Sequence, residues 1–130
     1  MKPATREWVS KAEDDYQAAV ELQNGRKRLH DQVCFHCQQS AEKFLKALLE
    51  ELNQTIPKTH DLEQLLHQLQ PYHPSLVSFK RGLVFLSDFA VDARYPGSNA
   101  SKRQASLALR WAGRVRDACR TILGLRRRNA

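Results

Sequence analysis

The sequence contains few residues that interrupt helices, with only five glycines and five prolines among its 130 residues. It also lacks segments in which polar and apolar residues alternate, the pattern of a half-buried β-strand. Apolar residues recur instead at three- and four-residue steps, the spacing that places them on one side of an α-helix. These absences and this spacing predict an all-α protein.

Long apolar runs and export signals are missing as well. The sequence has no run of about 18 apolar residues, which excludes a transmembrane helix. Charged residues occur within the first dozen positions, which excludes a secretory signal. The three cysteines are an odd number and nothing indicates export, so we expect a cytoplasmic protein with reduced thiols.

Positive charge is concentrated towards the C-terminal end. From residue 100 onward there are nine Lys and Arg residues and one acidic residue, a net charge of +8, whereas the first 99 residues hold 12 basic and 13 acidic groups. This segment favours phosphate-bearing or acidic partners. For any single arginine, a solvated helix face is the alternative. We predict one domain over residues 1–130, ending in a basic tail at 126–130.

The segment 31–52 has the clearest helical pattern in the chain. Its apolar positions share one wide face and are Val33, Cys37, Ala41, Phe44, Leu45 and Leu48. Asp31 precedes this pattern and is predicted to cap the helix. The opposite side carries His36, Gln39, Lys43 and Lys46, also at helical spacing. Such a helix is typical of a bundle in which one helix also borders a polar cleft.

Comparable patterns predict helices near residues 5–23, 60–70, 75–93 and 102–125. Thr59 is the expected cap of the third helix, and Ser101 with Gln104 forms a capping box before the fifth. The predicted core stripe of the fifth helix is Leu107, Trp111, Val115, Ala118, Ile122 and Leu125. With short connectors, these elements predict an antiparallel up-and-down bundle of four long helices plus one short helix.

Two cysteines, Cys34 and Cys37, are separated by two residues and suggest a metal or redox site. Zinc would need two further ligands at a suitable spacing, and a thioredoxin-type motif needs a βαβ context. We therefore interpret Cys37 as a small buried core residue and predict no metal and no cofactor. Among the histidines, His60 is predicted to have a structural hydrogen-bonding role. His36 is the candidate for function because it shares a helix face with Gln39 and Lys43, with a structural histidine as the equal alternative.

A turn-forming segment lies between the fourth helix and the basic fifth helix and begins with Arg94-Tyr95-Pro96. A guanidinium at Arg94 can make bidentate contacts to phosphate, and Tyr95 can stack on a base. The alternative is a helix-ending arginine and an aromatic side chain that only fills space. The residues predicted to bind a ligand are Arg94, Tyr95, His36, Gln39, Lys43 and Arg103.

Three motifs follow one another along the chain. They are Cys34-Phe35-His36-x-Gln38-Gln39-x-x-Glu42-Lys43-x-x-Lys46-Ala47, Pro57-x-Thr59-His60-x-Leu62 and Arg94-Tyr95-Pro96. Together they resemble the HEPN domain family of prokaryotes, from Trp8 to the fifth helix. The resemblance implies a small cytoplasmic all-α bundle that forms a homodimer. It also implies pairing with a minimal nucleotidyltransferase in a toxin–antitoxin-like module.

Many HEPN proteins are metal-independent endoribonucleases with an Arg-x(4–6)-His motif, and this sequence departs from that motif. After four, five and six intervening residues, Arg94 is followed by Asn99, Ala100 and Ser101. Arginine stabilises the phosphorane, but it stays protonated and cannot deprotonate the 2′-OH. We therefore expect a nucleotide- or RNA-phosphate-binding accessory subunit of a nucleotidyltransferase. The alternatives are an endoribonuclease toxin that uses Arg94 and His36, and a purely structural interaction module.

Overall fold

The computed structural model describes residues 1–90 and 96–125. Within these ranges the chain forms five α-helices and one 3₁₀ helix, and no described residue lies in a β-strand. The α-helices are α1 (Pro3–Asn24), α2 (His30–Glu51), α3 (Leu62–Leu69), α4 (Lys80–Ser87) and α5 (Lys102–Ile122), and the 3₁₀ helix is Pro74–Phe79. None of the described helices is long and apolar enough to cross a membrane.

The first two helices form an antiparallel pair, as their short connector predicts. At one end of the pair, the backbone N–H of Lys2 and the hydroxyl of Thr5 donate to Glu51 Oε1, at 3.1 and 2.8 Å. Further along, Asp15 of α1 contacts His36 of α2. The start of α1 therefore lies beside the end of α2, so the two helices run in opposite directions.

Helix α2 is the centre of the bundle, because it packs against each of the other four α-helices. The apolar stripe predicted for it is buried along its whole length, which confirms the pattern. The predicted cap is wrong: α2 begins at His30, and Asp31 lies in its first turn. Asp31 Oδ1 instead accepts the backbone N–H of Ala100, at 2.6 Å. The carboxylate thus joins the start of α2 to the chain that leads into α5.

Helix α5 buries a face that is adjacent to the predicted one and shares only Val115 with it. Its buried residues are Ala105, Ala108, Ala112, Val115 and Cys119. Two larger residues of the predicted stripe, Leu107 and Trp111, are only half-buried. Small side chains allow the α5 backbone to approach α2 closely, so packing distance and not side-chain size selected the buried face.

The predicted fourth helix, 75–93, is shorter than expected and is divided. The 3₁₀ helix Pro74–Phe79 precedes α4, which ends at Ser87 and is followed by a turn at 88–89. Ser87 ends the helix in contact with α3: its hydroxyl donates to Leu83 O and accepts the backbone N–H of Leu62. Residues 91–93 of the predicted helix lie outside the described ranges. The all-α bundle is confirmed, with three long and two short α-helices.

The N-terminal ends of α5 and α3 are both capped by a side chain. The capping box before α5 is present, because Ser101 Oγ accepts from Gln104 N and Gln104 Oε1 accepts from Ser101 N. Helix α3 begins two residues later than predicted and is capped by Asp61, not by Thr59. The hydroxyl of Thr59 accepts the backbone N–H of Asp61 and so holds the turn that precedes the cap.

Candidate ligand-binding site

The polar row of α2 faces α1 at one carboxylate. Asp15 Oδ1 lies 2.8 Å from His36 Nδ1, and Asp15 Oδ2 accepts a hydrogen bond from Lys43 Nζ. The side chain of Asp15 is only 12 % exposed. The structure therefore brings two predicted site residues, His36 and Lys43, together on a largely buried anion that joins the two helices.

A second carboxylate, that of Glu42 on α2, forms the centre of another network of hydrogen bonds. Its Oε1 accepts from Gln38 Nε2 at 3.1 Å and lies 2.8 Å from His60 Nδ1, while its Oε2 accepts from Lys46 Nζ at 3.0 Å. The Glu42 side chain is 5 % exposed, so these partners replace the water that it has lost. The predicted site residue Gln39 joins the network by donating to Gln38 Oε1 at 2.7 Å.

His60 has the structural hydrogen bond that the sequence predicted, and its exposure is a feature the sequence did not indicate. The side chain is 66 % exposed although its Nδ1 faces the buried Glu42 carboxylate. Because Nδ1 is engaged, Nε2 is the ring nitrogen left for solvent or a ligand. The backbone carbonyl of His60 accepts from Gln38, so both its main chain and its ring are fixed to α2.

The cations of α5 separate into paired and exposed groups. Arg116 donates two hydrogen bonds to Glu13 of α1, from Nε at 2.7 Å and from Nη2 at 2.9 Å, and these bonds raise the pKa of Arg116. Arg120 also lies near Glu13, at 3.6 Å. Lys102, Arg103 and Arg110 are exposed and form no ion pair with any residue that the structure describes.

Not all predicted site residues converge. Arg103 lies on the exposed side of the first turn of α5, and no contact joins it to the α2 row among the described residues. Arg94 and Tyr95 lie outside the described ranges, so their part in a site stays a prediction. The sequence placed His36, Gln39 and Lys43 on one helix face, but it did not reveal Asp15 as the partner of His36 and Lys43, because Asp15 lies on another helix and has no distinguishing spacing. Glu42 did carry a signal: it belongs to the first motif and lies four residues from both Gln38 and Lys46.

The thiols do not contribute a nucleophile to this site. Cys34, Cys37 and Cys119 are fully buried, which confirms the core interpretation of Cys37. Loss of solvent raises the pKa values of Cys37 and Cys119 far above the usual thiol range. Thiolates are therefore scarce at neutral pH, and the thiols act as small apolar side chains.

The fold and the two carboxylate networks define an all-α bundle in which α2 carries most of the polar motif residues. The model of the HEPN domain matches residues 5–122. The chain belongs to the HEPN domain family, as the three motifs predicted.

Two solved structures share this fold. The archaeal HEPN homologue ST0689 has a TM-score of 0.76 and 24% identity, covering 95% of this chain and 99% of that one. The protein TT1696 from Thermus thermophilus has a TM-score of 0.78 and 22% identity, covering 92% of this chain and 98% of that one. No curated protein matches the chain at a significant level.

Proposed function

We propose that this HEPN protein binds the phosphate groups of a nucleotide or of single-stranded RNA. The observation that carries this proposal is a set of exposed cations on α5, namely Lys102, Arg103 and Arg110, which form no ion pair within residues 1–90 and 96–125. Cations that are not neutralised by neighbouring carboxylates attract phosphate and release its counterions on binding. The paired Arg116, held by Glu13, instead serves to join α5 to α1.

The binding role extends to the loop residues Arg94 and Tyr95, on the strength of the Arg-Tyr-Pro motif. Arg94 would contact phosphate in a bidentate manner, and Tyr95 would stack on a base. In this proposal His36, Gln39 and Lys43 border the bound molecule, with His36 and Lys43 oriented by Asp15. The protein would act as a homodimeric accessory subunit that presents substrate to a minimal nucleotidyltransferase.

A second candidate function, metal-independent RNA cleavage, is favoured by the geometry of the histidines. His36 and His60 each have Nδ1 beside a carboxylate, that of Asp15 or Glu42. A carboxylate that accepts from Nδ1–H leaves Nε2 as a proton acceptor, the arrangement of a general base. Either histidine could then supply the base that the Arg94 segment lacks. A purely structural module would need neither these histidine–carboxylate pairs nor the exposed cations of α5.

Incubation of the purified protein with single-stranded RNA in EDTA separates these functions. We expect retention of intact RNA, measured by fluorescence anisotropy, and an affinity that falls as salt rises. The double variant Arg103→Glu/Arg110→Glu should weaken binding at low salt by roughly tenfold or more, as charge reversal adds repulsion. Lys11→Glu, an exposed change on α1, is the matched control.

Three outcomes contradict this proposal in different ways. Binding that is unaffected by salt or by the α5 double variant would exclude the cationic face. Cleavage in EDTA that is lost in His36→Ala or His60→Ala would favour the nuclease. No retention of RNA or of a nucleoside triphosphate at low salt would leave the structural module as the function.

A further inference from the structure

An apolar groove with a cationic rim lies on the side of the bundle formed by the 3₁₀ helix, α4 and α5. It is lined by Val77, Ser78, Lys80, Arg81, Val84, Trp111 and Arg114 and is about 720 Å³ in volume. Val77 and Val84 are 47% and 43% exposed, and they are two of the few large apolar side chains that the described chain leaves open to solvent. Such side chains, grouped in one groove, are a feature of protein docking surfaces.

The charge of the groove restricts what can occupy it. Arg81 and Arg114 contribute cations, and no carboxylate among the described residues lines the groove. Lys80 is also present, 3.6 Å from the exposed Glu63 that lies beyond the lining. A partner with acidic residues beside its apolar contacts therefore complements the groove, because opposite charges at the rim set both partner choice and encounter rate.

The groove is poorly suited to lie on the two-fold axis of a homodimer. On that axis the groove of one copy would meet the groove of the other. Arg81 and Arg114 would then face the same cations of the partner, and like charges across an interface are unfavourable. An acidic amphipathic segment of a different chain meets the charge requirement without this repulsion.

Nucleic acid is also a poorer match for the groove than a protein. The two exposed valines offer neither hydrogen bonds nor an aromatic face. The ring of Trp111 is covered by the Arg114 guanidinium, 5.3 Å from the ring centroid. A base would have to displace this cation before it could stack on the indole. By contrast, exposed valines and a partly covered indole suit the aliphatic side chains of an amphipathic helix.

We propose that the groove formed by Val77, Arg81, Val84, Trp111 and Arg114 docks an amphipathic helix of a partner protein whose apolar stripe is flanked by Asp and Glu. The apolar stripe lies over Val77, Val84 and the exposed edge of Trp111. Its acidic flanks contact Arg81 and Arg114. This docking function is separate from phosphate binding by the exposed residues Arg103 and Arg110, neither of which lines the groove.

Selection from a displayed library of helical peptides tests the proposal with a defined probe. Apolar residues are fixed at positions i, i+3, i+4 and i+7, and the other positions vary among Glu, Lys, Ser, Gln and Ala. The full-length protein is the bait, with depletion of the library on Val84→Asp beforehand. We expect enriched peptides to carry Glu in excess of Lys beside the apolar stripe.

The best peptide is then labelled and titrated by fluorescence anisotropy. Val84→Asp should weaken its binding by about tenfold or more, since a buried contact is lost and an acid faces an acidic peptide. Arg81→Glu should weaken it most at low salt. Two controls at exposed sites outside the groove, Tyr72→Asp and Lys11→Glu, should change binding by less than about twofold, the range of a rim effect.

Four results would overturn the proposal. The first is no enrichment over the Val84→Asp bait, and the second is enrichment of Lys in place of Glu. The third is a Val84→Asp protein that binds single-stranded RNA less well than wild type, which would assign the groove to nucleic acid. The fourth is a change of mass from dimer to monomer in Val84→Asp, measured by light scattering, which would assign it to a second copy. Failure of RNA binding alone leaves the peptide result unchanged, so this proposal and the phosphate proposal fail separately.

Discussion

The indole ring of Trp111 occupies the space that a side chain on Gly82 would need. A Cβ placed on Gly82 would lie 2.2 Å from two ring atoms of Trp111, far inside van der Waals contact. Gly82 is buried in α4, and Trp111 is half-buried in α5. The absence of a side chain at Gly82 is therefore what lets α4 approach α5 at this point.

Gly82→Ala should destabilise the protein, because overpacking costs about 1–3 kcal/mol. The higher helix propensity of alanine offsets up to about 1 kcal/mol of this loss. Urea unfolding followed by circular dichroism measures the change. Gly113→Ala is the matched control, because its Cβ would lie 3.1 Å from the Tyr16 hydroxyl and needs only a small shift. If Trp111→Leu does not reduce the cost of Gly82→Ala in a double-mutant cycle, the two residues are not coupled as described.

Removal of the buried carboxylate of Glu42 should be costly. Glu42→Ala leaves the buried Lys46 ammonium without its partner at 3.0 Å, a loss of about 3–5 kcal/mol for a broken buried pair. Thermal and urea unfolding provide the measurement. Glu63→Ala, which breaks the exposed pair with Lys80, should cost less than about 1 kcal/mol. Equal losses in the two variants would contradict the role given to burial.

The three thiols should resist modification in the folded protein. Cys37 and Cys119 are buried, and desolvation raises their pKa values, so few thiolates form at pH 8. We expect a thiol reagent such as DTNB to react slowly in native buffer and with three thiols per chain in guanidinium. Rapid reaction of any thiol under native conditions would show that its helix opens readily or that its burial is incorrect.

Acid should weaken the contact between the N-terminus and the end of α2. The backbone N–H of Lys2 and the hydroxyl of Thr5 donate to Glu51 and lower its pKa below the usual value. A lowered pKa in the folded state means that the contribution is complete above the unfolded-state pKa of about 4.3 and is lost as pH falls through the folded value. Glu51→Gln should therefore flatten the fall in stability between about pH 5 and pH 3.

Thermal unfolding across this pH range, compared with wild type, measures the effect of Glu51→Gln. Glu7→Gln is the control for loss of one negative charge, since Glu7 is exposed on α1. Parallel curves for wild type and Glu51→Gln would mean that the hydrogen bonds to Glu51 do not stabilise its ionised form in solution.

Arg94→Ala should lower the affinity for RNA or nucleotide by about 1.5–3 kcal/mol, the range for a lost hydrogen bond to a charged group. Arg94→Lys should restore only part of this loss, because a point charge does not reproduce the planar guanidinium. Anisotropy at low salt, with helicity checked by circular dichroism, is the measurement. His36→Ala is the control for catalysis: an accessory subunit has no cleavage activity to lose, whereas a nuclease that uses His36 as its base would lose its activity. Wild-type affinity in a folded Arg94→Ala protein would remove Arg94 from the site.

The sequence predicted the features that depend on neighbouring residues along one helix. All four leucines of α3 are buried as predicted, because a short helix with one apolar face has only one way to bury it. The Ser101–Gln104 capping box was predictable for the same reason, since both of its hydrogen bonds close within one turn. The three motifs likewise identified the family correctly.

The candidate site was predictable only in part. Helical spacing placed His36 and Lys43 on one face of α2, and they do meet at one point. The point is Asp15, whose position depends on the register of α1 against α2. Periodicity describes one helix at a time and carries no information on which residue of a second helix lies opposite.

Sequence alone determined that the chain is helical, where α1, α2, α3 and α5 lie, and which family it belongs to. Tertiary structure decided which of two adjacent faces of α5 is buried and where the predicted fourth helix ends. Hydrophobic patterning favours the face with the largest side chains, Leu107 and Trp111 among them. The bundle instead buried alanines such as Ala108 and Ala112, because contact between helices depends on how closely their backbones approach.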